Sequence, residues 1–371
     1  MIKFLNEGIA KKYKGKICVL RIDLNVDQKT DEGLFRLHSV LPTIALLRKH
    51  NVHVVIVSHK GRPIHSAEDK KLSLKPFAKI IEKEIGESVA FIQTFNFEEI
   101  RETIESAKQD VFLLENIRFC VGEEKNDKKL GKLLAGLGDF YVNDAFAVSH
   151  REHASVCAIT DFIPSFGGLQ LEKEIKNLKG VMTRPGSPLV VVLGGAKTSD
   201  KLPLIEQFWK KADMFLLGGG PSNTLLAAQG IPMGDSLYDA KLVIKVRKYA
   251  FAANVFTPSD TASKGTKILD IGPETAKEYA EIIKAAKTII WNGPMGLFEK
   301  KPFEKGTAAL WKAVLANKKA VTVVGGGETI ASLCLAMNRC KVPANIFLST
   351  GGGAMLEYLS GKKLPGIIAL G

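Results

Sequence analysis

Short runs rich in Val, Ile, Leu and Phe recur along the whole chain, each closing in glycine or polar residues. In the first half they occupy 17–26, 53–59, 110–119 and 139–146, with a weaker one at 88–93. In the second half they occupy 188–195, 214–220, 254–260, 288–294, 320–327 and 345–353. Their apolar residues run continuously rather than alternating with polar ones. That pattern predicts strands covered on both faces, as in a parallel sheet. Between them, 41–50, 77–86 and 168–182 carry apolar residues at helical spacing. Strand and helix in alternation predict an α/β fold. The stretch 168–182 falls where the strand ends change character and is expected to be a helix joining two domains. The charge run "EEKNDKK" at 123–129 reads as a solvated loop.

The strand ends carry the chemistry. First-half strands end in side chains: Arg21, Asp23 and Asn25, then His59 and Arg62, then Arg118, then Asn143, Asp144, His150 and Arg151. Second-half strands end in glycine, as at 194–195, 218–220, 293, 325–327 and 351–353. Ligands of open α/β sheets bind beyond the carboxyl ends of the strands. Guanidiniums held close together repel unless they share an anion, and arginine suits bidentate binding of carboxylate and phosphate. Arg36 on a further segment joins the set. One half is therefore expected to hold a compact anion. The other offers backbone N–H groups and helix N-termini to phosphates.

Composition narrows the picture. A chain of 371 residues has room for two domains, and 46% hydrophobic content suffices for two cores. No apolar run is long enough to span a membrane, and the N-terminus lacks a continuous apolar stretch of secretory type. A cytoplasmic protein without membrane contact is the expectation. The five cysteines form no CxxC pair, so they are expected to be reduced and without zinc. The formal charge of +13 admits nucleic acid as a partner, but no basic stretch is interleaved with aromatics. Small anionic ligands fit better.

Within "LGGAKTSDK", Lys197 and Lys201 stand four apart on an expected helix start. Like charges so placed oppose each other and the helix dipole, and a phosphate between them would remove both costs. Two solvated lysines are the other reading. No GxxxxGK[ST] occurs, and no GxGxxG with an acid about 20 residues on. In "GGGET", Glu328 follows a glycine turn and is a candidate Mg²⁺ ligand, or else an acid favoured by the helix dipole. His50, His53, His59 and His65 match no usual zinc spacing. His38 and His153 read as structural or surface residues.

Taken in order, "RIDLNVD", "FRLHSVLPTI", "SHKGRP", "LLENIRF", "VNDAFAVSHREHAS", "LGGAKTSDK", "DIGPET", "WNGPMGLFE", "GGGET" and "STGGGAMLEYLSGKKLPG" resemble the motifs of the phosphoglycerate kinase family. The resemblance implies two Rossmann-like three-layer α/β domains whose parallel sheets face across a cleft, working as a monomer. The domains would be 1–167 and 183–355, joined by the 168–182 helix, with 356–371 packing back on the first. It further implies reversible phosphoryl transfer between 1,3-bisphosphoglycerate with Mg-ADP and 3-phosphoglycerate with ATP, with hinge closure. Asp23, Asn25, Arg36, His59, Arg62, Arg118 and Arg151 would hold phosphoglycerate. Gly195, Lys197, Lys201, Asn292, Glu299, Gly326, Gly327, Glu328 and Thr329 would hold nucleotide, with Glu328 on the metal. Arg36, Lys197 and Lys201 would neutralise the transferring group. Glu328 stands where the family generally has Asp. Lys60 replaces an apolar residue and is expected to add charge at the cleft; Pro221, Thr198 and Ser259 also depart from the pattern.

Three other readings compete: a catalytically weak nucleotide-binding regulator, a nucleic-acid-binding protein, and an NAD-linked dehydrogenase. Complete retention of the Arg and Lys set opposes the first, the even spread of lysines the second, and the missing dinucleotide fingerprint the third.

Overall fold

The computed structural model describes residues 2–27, 30–64, 66–337 and 342–371. The chain divides into two compact units, Met1–Ile175 with Lys363–Gly371, and Lys176–Lys362.

The first unit is built on a six-stranded sheet of β1 (Ile17–Arg21), β2 (His53–Val57), β3 (Val89–Ile92), β4 (Val111–Leu114), β5 (Phe140–Asn143) and β6 (Ser165–Gly167). The order is β3-β4-β2-β1-β5-β6, and every pair is parallel. From β1 the chain fills one side of the sheet and then crosses to the other. The crevice between β1 and β5 is therefore the switch point where α/β sheets bind ligands. Leu20, Ile22, Val54, Ile56, Leu113 and Val142 lie in its fully buried core.

The second unit repeats this logic with β7 (Leu189–Leu193), β8 (Met214–Leu217), β9 (Val255–Phe256), the antiparallel hairpin β10 (Thr261–Lys264) and β11 (Lys267–Ile271), then β12 (Thr288–Asn292), β13 (Val321–Gly325) and β14 (Ile346–Leu348). Its parallel sheet runs β14-β13-β12-β7-β8-β9, which puts the switch point between β7 and β12. Trp291 and Trp311, both fully buried, pack 4.5 Å apart. No described helix is long and apolar enough to cross a membrane.

The expected strands all form. β6 and the hairpin escaped the sequence reading, because β6 has three residues and "TASK" carries no apolar alternation. The helix expected at 41–50 is the C-terminal half of a longer one, Asp31–Lys49, which encloses Pro42. Its start is fixed by Thr30, whose side chain accepts from the Gly33 N–H at 3.1 Å. The early start matters, because it places Arg36 on this helix. The stretch 168–182 is the helix Leu169–Thr183, through which the unit boundary runs.

Two expectations fail already at the level of burial and cysteine state. The run 123–129 is not wholly solvated: Glu123 is fully buried. Nor are all five cysteines thiols. Cys18, Cys120 and Cys157 are free, Cys334 is disulfide-bonded, and Cys340 lies outside the described residues, as does His65.

Candidate active site

In the first unit the ends of β1 and β2 are stapled by one side chain. Ser58 Oγ donates to the Ile22 carbonyl at 2.8 Å and accepts from the Leu24 N–H at 2.9 Å. This aims Asp23, Asn25 and His59 from neighbouring strand ends. Asn25 Oδ1 accepts from the Gly61 N–H at 2.7 Å, which fixes the turn after β2. Gly61 has φ +62°, and a Cβ there would lie 2.6 Å from Leu72 Cδ2. Asn116 completes the clamp, its Nδ2 donating to the Lys60 carbonyl at 2.7 Å and the Leu72 carbonyl at 3.0 Å.

Inside this frame sits a cluster of cationic and imidazole groups. Arg21 is fully buried and donates through Nε to Ser155 Oγ at 2.9 Å, through Nη1 to the Ile22 carbonyl, and through Nη2 to His59 Nδ1 at 3.2 Å. A guanidinium only donates, so Nδ1 accepts and the imidazole proton is on Nε2. Burial, with the charges of Arg21, Arg118 and Arg151, holds His59 neutral well below the ordinary imidazole range. Its Nε2–H, also buried, has no partner among the described residues. Arg118 is in the same condition. Its Nη1 donates to the Gly61 carbonyl, while Nε and Nη2 are buried without hydrogen-bond acceptors, although Glu124 lies 3.2 Å from Nε. Arg36 donates through Nη1 to Asp23 Oδ2 at 2.9 Å. Arg151 is half-buried, and Arg62 and Asn25 are exposed.

His59 Nε2 and Arg118 Nη2 are thus buried donors without an acceptor among the described residues. Buried N–H groups are almost always paired, and leaving them unpaired costs about 1–3 kcal/mol each. Sequence reasoning found them but missed their support. Glu123 accepts from the Ser155 N–H at 2.9 Å and hydroxyl at 2.6 Å, so a buried carboxylate holds the serine that holds Arg21. His153 lies 3.7 Å from Glu123 and is buried. Lys60, expected to add charge at the site, instead has its ammonium 5.6 Å above the Phe77 ring. Among the described residues no cluster could hold a metal by side chains alone.

In the second unit the glycines do something other than expected. The N–H groups of Gly194, Gly195, Gly218, Gly219 and Gly220 are spent on the carbonyls of Asn292, Pro294, Leu193, Met295 and Gly195. A Cβ on Gly219 would lie 2.5 Å from the Gly195 carbonyl, and one on Gly293 would collide with that of Gly194. These glycines let three strand ends pack backbone on backbone. The first-turn N–H groups of the helix Gly327–Met337 have no acceptor within the helix and could serve a phosphate. Thr329 is buried, and its hydroxyl accepts from the Gly293 N–H at 2.8 Å.

Lys197 and Lys201 are not paired on a helix. The helix begins at Leu202, so Lys197 precedes it in an exposed turn and the i, i+4 argument does not apply. Lys201 is buried and donates to Asn292 Oδ1; burial lowers its pKa, against the opposing charges of Asp200 and Glu328. The Asn292 Nδ2 is buried and has no partner among the described residues. Beside them lies a cavity of about 300 Å³, with Gly195, Leu237, Pro258, Leu297, Glu299 and Glu328 among its walls. The departures at 198 and 259 are accommodated locally. The Thr198 and Thr224 hydroxyls meet at 2.8 Å, and those of Ser259 and Thr275 at 3.2 Å.

A family model described as phosphoglycerate kinase matches residues 9–362. A phosphoglycerate kinase of Pseudothermotoga lettingae is 41% identical, over 95% of this chain and 95% of its own. One of Herpetosiphon aurantiacus is 39% identical, over 96% and 97% respectively. Among solved structures, phosphoglycerate kinase from Pyrococcus horikoshii OT3 aligns with a TM-score of 0.83 at 31% identity. That from Coxiella burnetii aligns with a TM-score of 0.78 at 34% identity, and each covers 96% of both chains.

Proposed function

The chain belongs to the phosphoglycerate kinase family, and from that premise we propose that its first unit holds 3-phosphoglycerate and its second holds ADP or ATP. The observation that carries this assignment is the pair of buried donors, His59 Nε2 and Arg118 Nη2, that have no acceptor among the described residues. Arg36, Arg62 and Arg151 supply further charge to the phosphate and carboxylate. Asp23 would orient Arg36 through their 2.9 Å contact, and Asp23 and Asn25 would meet a substrate hydroxyl. His59 acts as a neutral hydrogen-bond donor, not as a base.

The reaction requires no general base, because in the ATP-forming direction the leaving group is a carboxylate. This chain's residues then have two tasks, positioning and charge neutralisation. Lys201, held by Asn292, and the exposed Lys197 would neutralise the transferring phosphoryl group from the second unit, and Arg36 would do so from the first. The N–H groups of Gly327, Glu328 and Thr329 receive phosphate oxygens, beside Gly326. Glu328 and Glu299 line the cavity with exposed carboxylates. One carboxylate beside a phosphate-binding turn suits Mg²⁺, which Glu328 would hold and which would supply charge screening on the phosphates. Glu328 is longer than Asp but reaches the site, its Oε2 lying 3.8 Å from where a Cβ on Gly195 would stand.

Because donor and acceptor bind different units, transfer requires the units to close on each other. We further assign the protein to the cytoplasm, as a monomer with small-molecule substrates and without nucleic acid or membrane partners; the burial of Arg21 and Arg118 favours small anions over a polymer. ATP-dependent phosphorylation of 3-phosphoglycerate, measured with and without Mg²⁺, tests the assignment. Metal-dependent turnover that Arg118→Met abolishes at low substrate is expected, and undiminished low-substrate turnover by that variant would overturn it.

A further inference from the structure

Ser222 stands in the wall of the 300 Å³ cavity, on the helix Gly219–Ala228. It is 1% exposed, and its hydroxyl has no hydrogen-bond partner among the described residues. Neighbouring polar side chains on that helix are all engaged. Asn223 Nδ2 donates to the Leu237 carbonyl at 2.9 Å, and Thr224 Oγ1 donates to the Gly220 carbonyl at 2.7 Å. The one unengaged hydroxyl is thus the one that lines the cavity. The Asn223–Leu237 bond also sets its position, because it ties this turn of helix to the part of the wall formed by Leu237. Leu237, Pro258, Leu269, Leu297 and Phe298 make that wall apolar, suited to the faces of a purine. The phosphate donors lie elsewhere, at the start of the helix Gly327–Met337.

We propose that Ser222 is a base-reading residue, its hydroxyl completing a hydrogen bond with the polar edge of the purine. This rests on the reading of the cavity as the nucleotide site. A hydroxyl both donates and accepts, so it serves an edge carrying either an amino or an oxo group. The site would therefore accept guanine as well as adenine nucleotides.

The test compares the full-length protein with Ser222→Ala by titration calorimetry, using ADP and the base-less ribose 5-diphosphate. The variant should bind ADP about 3- to 10-fold more weakly, the worth of one ordinary hydrogen bond. Its affinity for ribose 5-diphosphate should stay within about twofold of the wild type, since the sugar and phosphates keep all their contacts. The unliganded variant should melt no lower than the wild type, because it loses an unpaired buried group. Unchanged ADP affinity, or equal losses for both ligands, would overturn the assignment. Leu237→Trp fills the cavity from an exposed position and should abolish ADP binding. Normal ADP binding by that variant would remove the cavity reading itself, and Ser222's role with it.

Discussion

Arg118 carries a buried Nη2 group without an acceptor among the described residues, and on the proposed assignment that group is paired only when ligand arrives. Each charge-assisted hydrogen bond is worth about 1.5–3 kcal/mol. Arg118→Met should therefore raise the KM for 3-phosphoglycerate by about 10- to 100-fold while leaving that for ADP unchanged, as steady-state kinetics would show. Lys201→Ala should do the reverse. We expect kcat to fall by about 100-fold or more with 3-phosphoglycerate affinity nearly intact. His153 answers to pH. Burial and the charges of Arg118, Arg21 and Arg151 push its pKa from 6.5 down to about 3. Between those values the unfolded chain binds a proton that the folded chain refuses, so this residue's contribution makes stability fall as pH drops below 6.5. Thermal melts from neutral pH down to about 4 should show a flatter acid limb in His153→Gln than in the wild type. At this scale the sequence was partly legible. Arg118, His59 and Lys201 stand at strand ends or beside glycine turns, where position alone marks them. Glu123 does not, because one acid in a charge run turns inward only to meet Ser155, 32 residues away. Ser222 is equally hidden, since the lack of a partner is a property of three-dimensional surroundings.

Elements were more legible than their joins. Continuous apolar runs mark both parallel sheets because strands covered on both faces have no polar side to show. Pro42 obscured the first half of the Asp31–Lys49 helix, and glycine-rich strand ends resembled phosphate loops when most are close-packing devices. The turn after β2 combines both roles. Gly61 takes a left-handed conformation, gives its N–H to Asn25 and its carbonyl to Arg118. An alanine there costs about 1–2 kcal/mol from the backbone alone, before Leu72 moves. Gly61→Ala should lower the melting temperature by several degrees and raise the KM for 3-phosphoglycerate, with ADP binding by calorimetry unchanged.

At the scale of the molecule, the two units have separate sheets and separate switch points, while the helix Leu169–Thr183 belongs partly to each. Small-angle scattering should show compaction only when 3-phosphoglycerate and a nucleotide are both present; equal dimensions in all states would exclude closure. The residues Lys363–Gly371 belong to the first unit, although all of the second precedes them. Gly366 donates to the Ser149 carbonyl at 2.8 Å, and a Cβ there would stand 2.5 Å from Val156 Cγ1. Ser149 stands two residues before Arg151. During synthesis the second unit can therefore finish folding while the first, begun earlier, still waits for residues 363–371 to leave the ribosome. A chain without residues 363–371 would emerge with its second unit complete and its first unit unfinished.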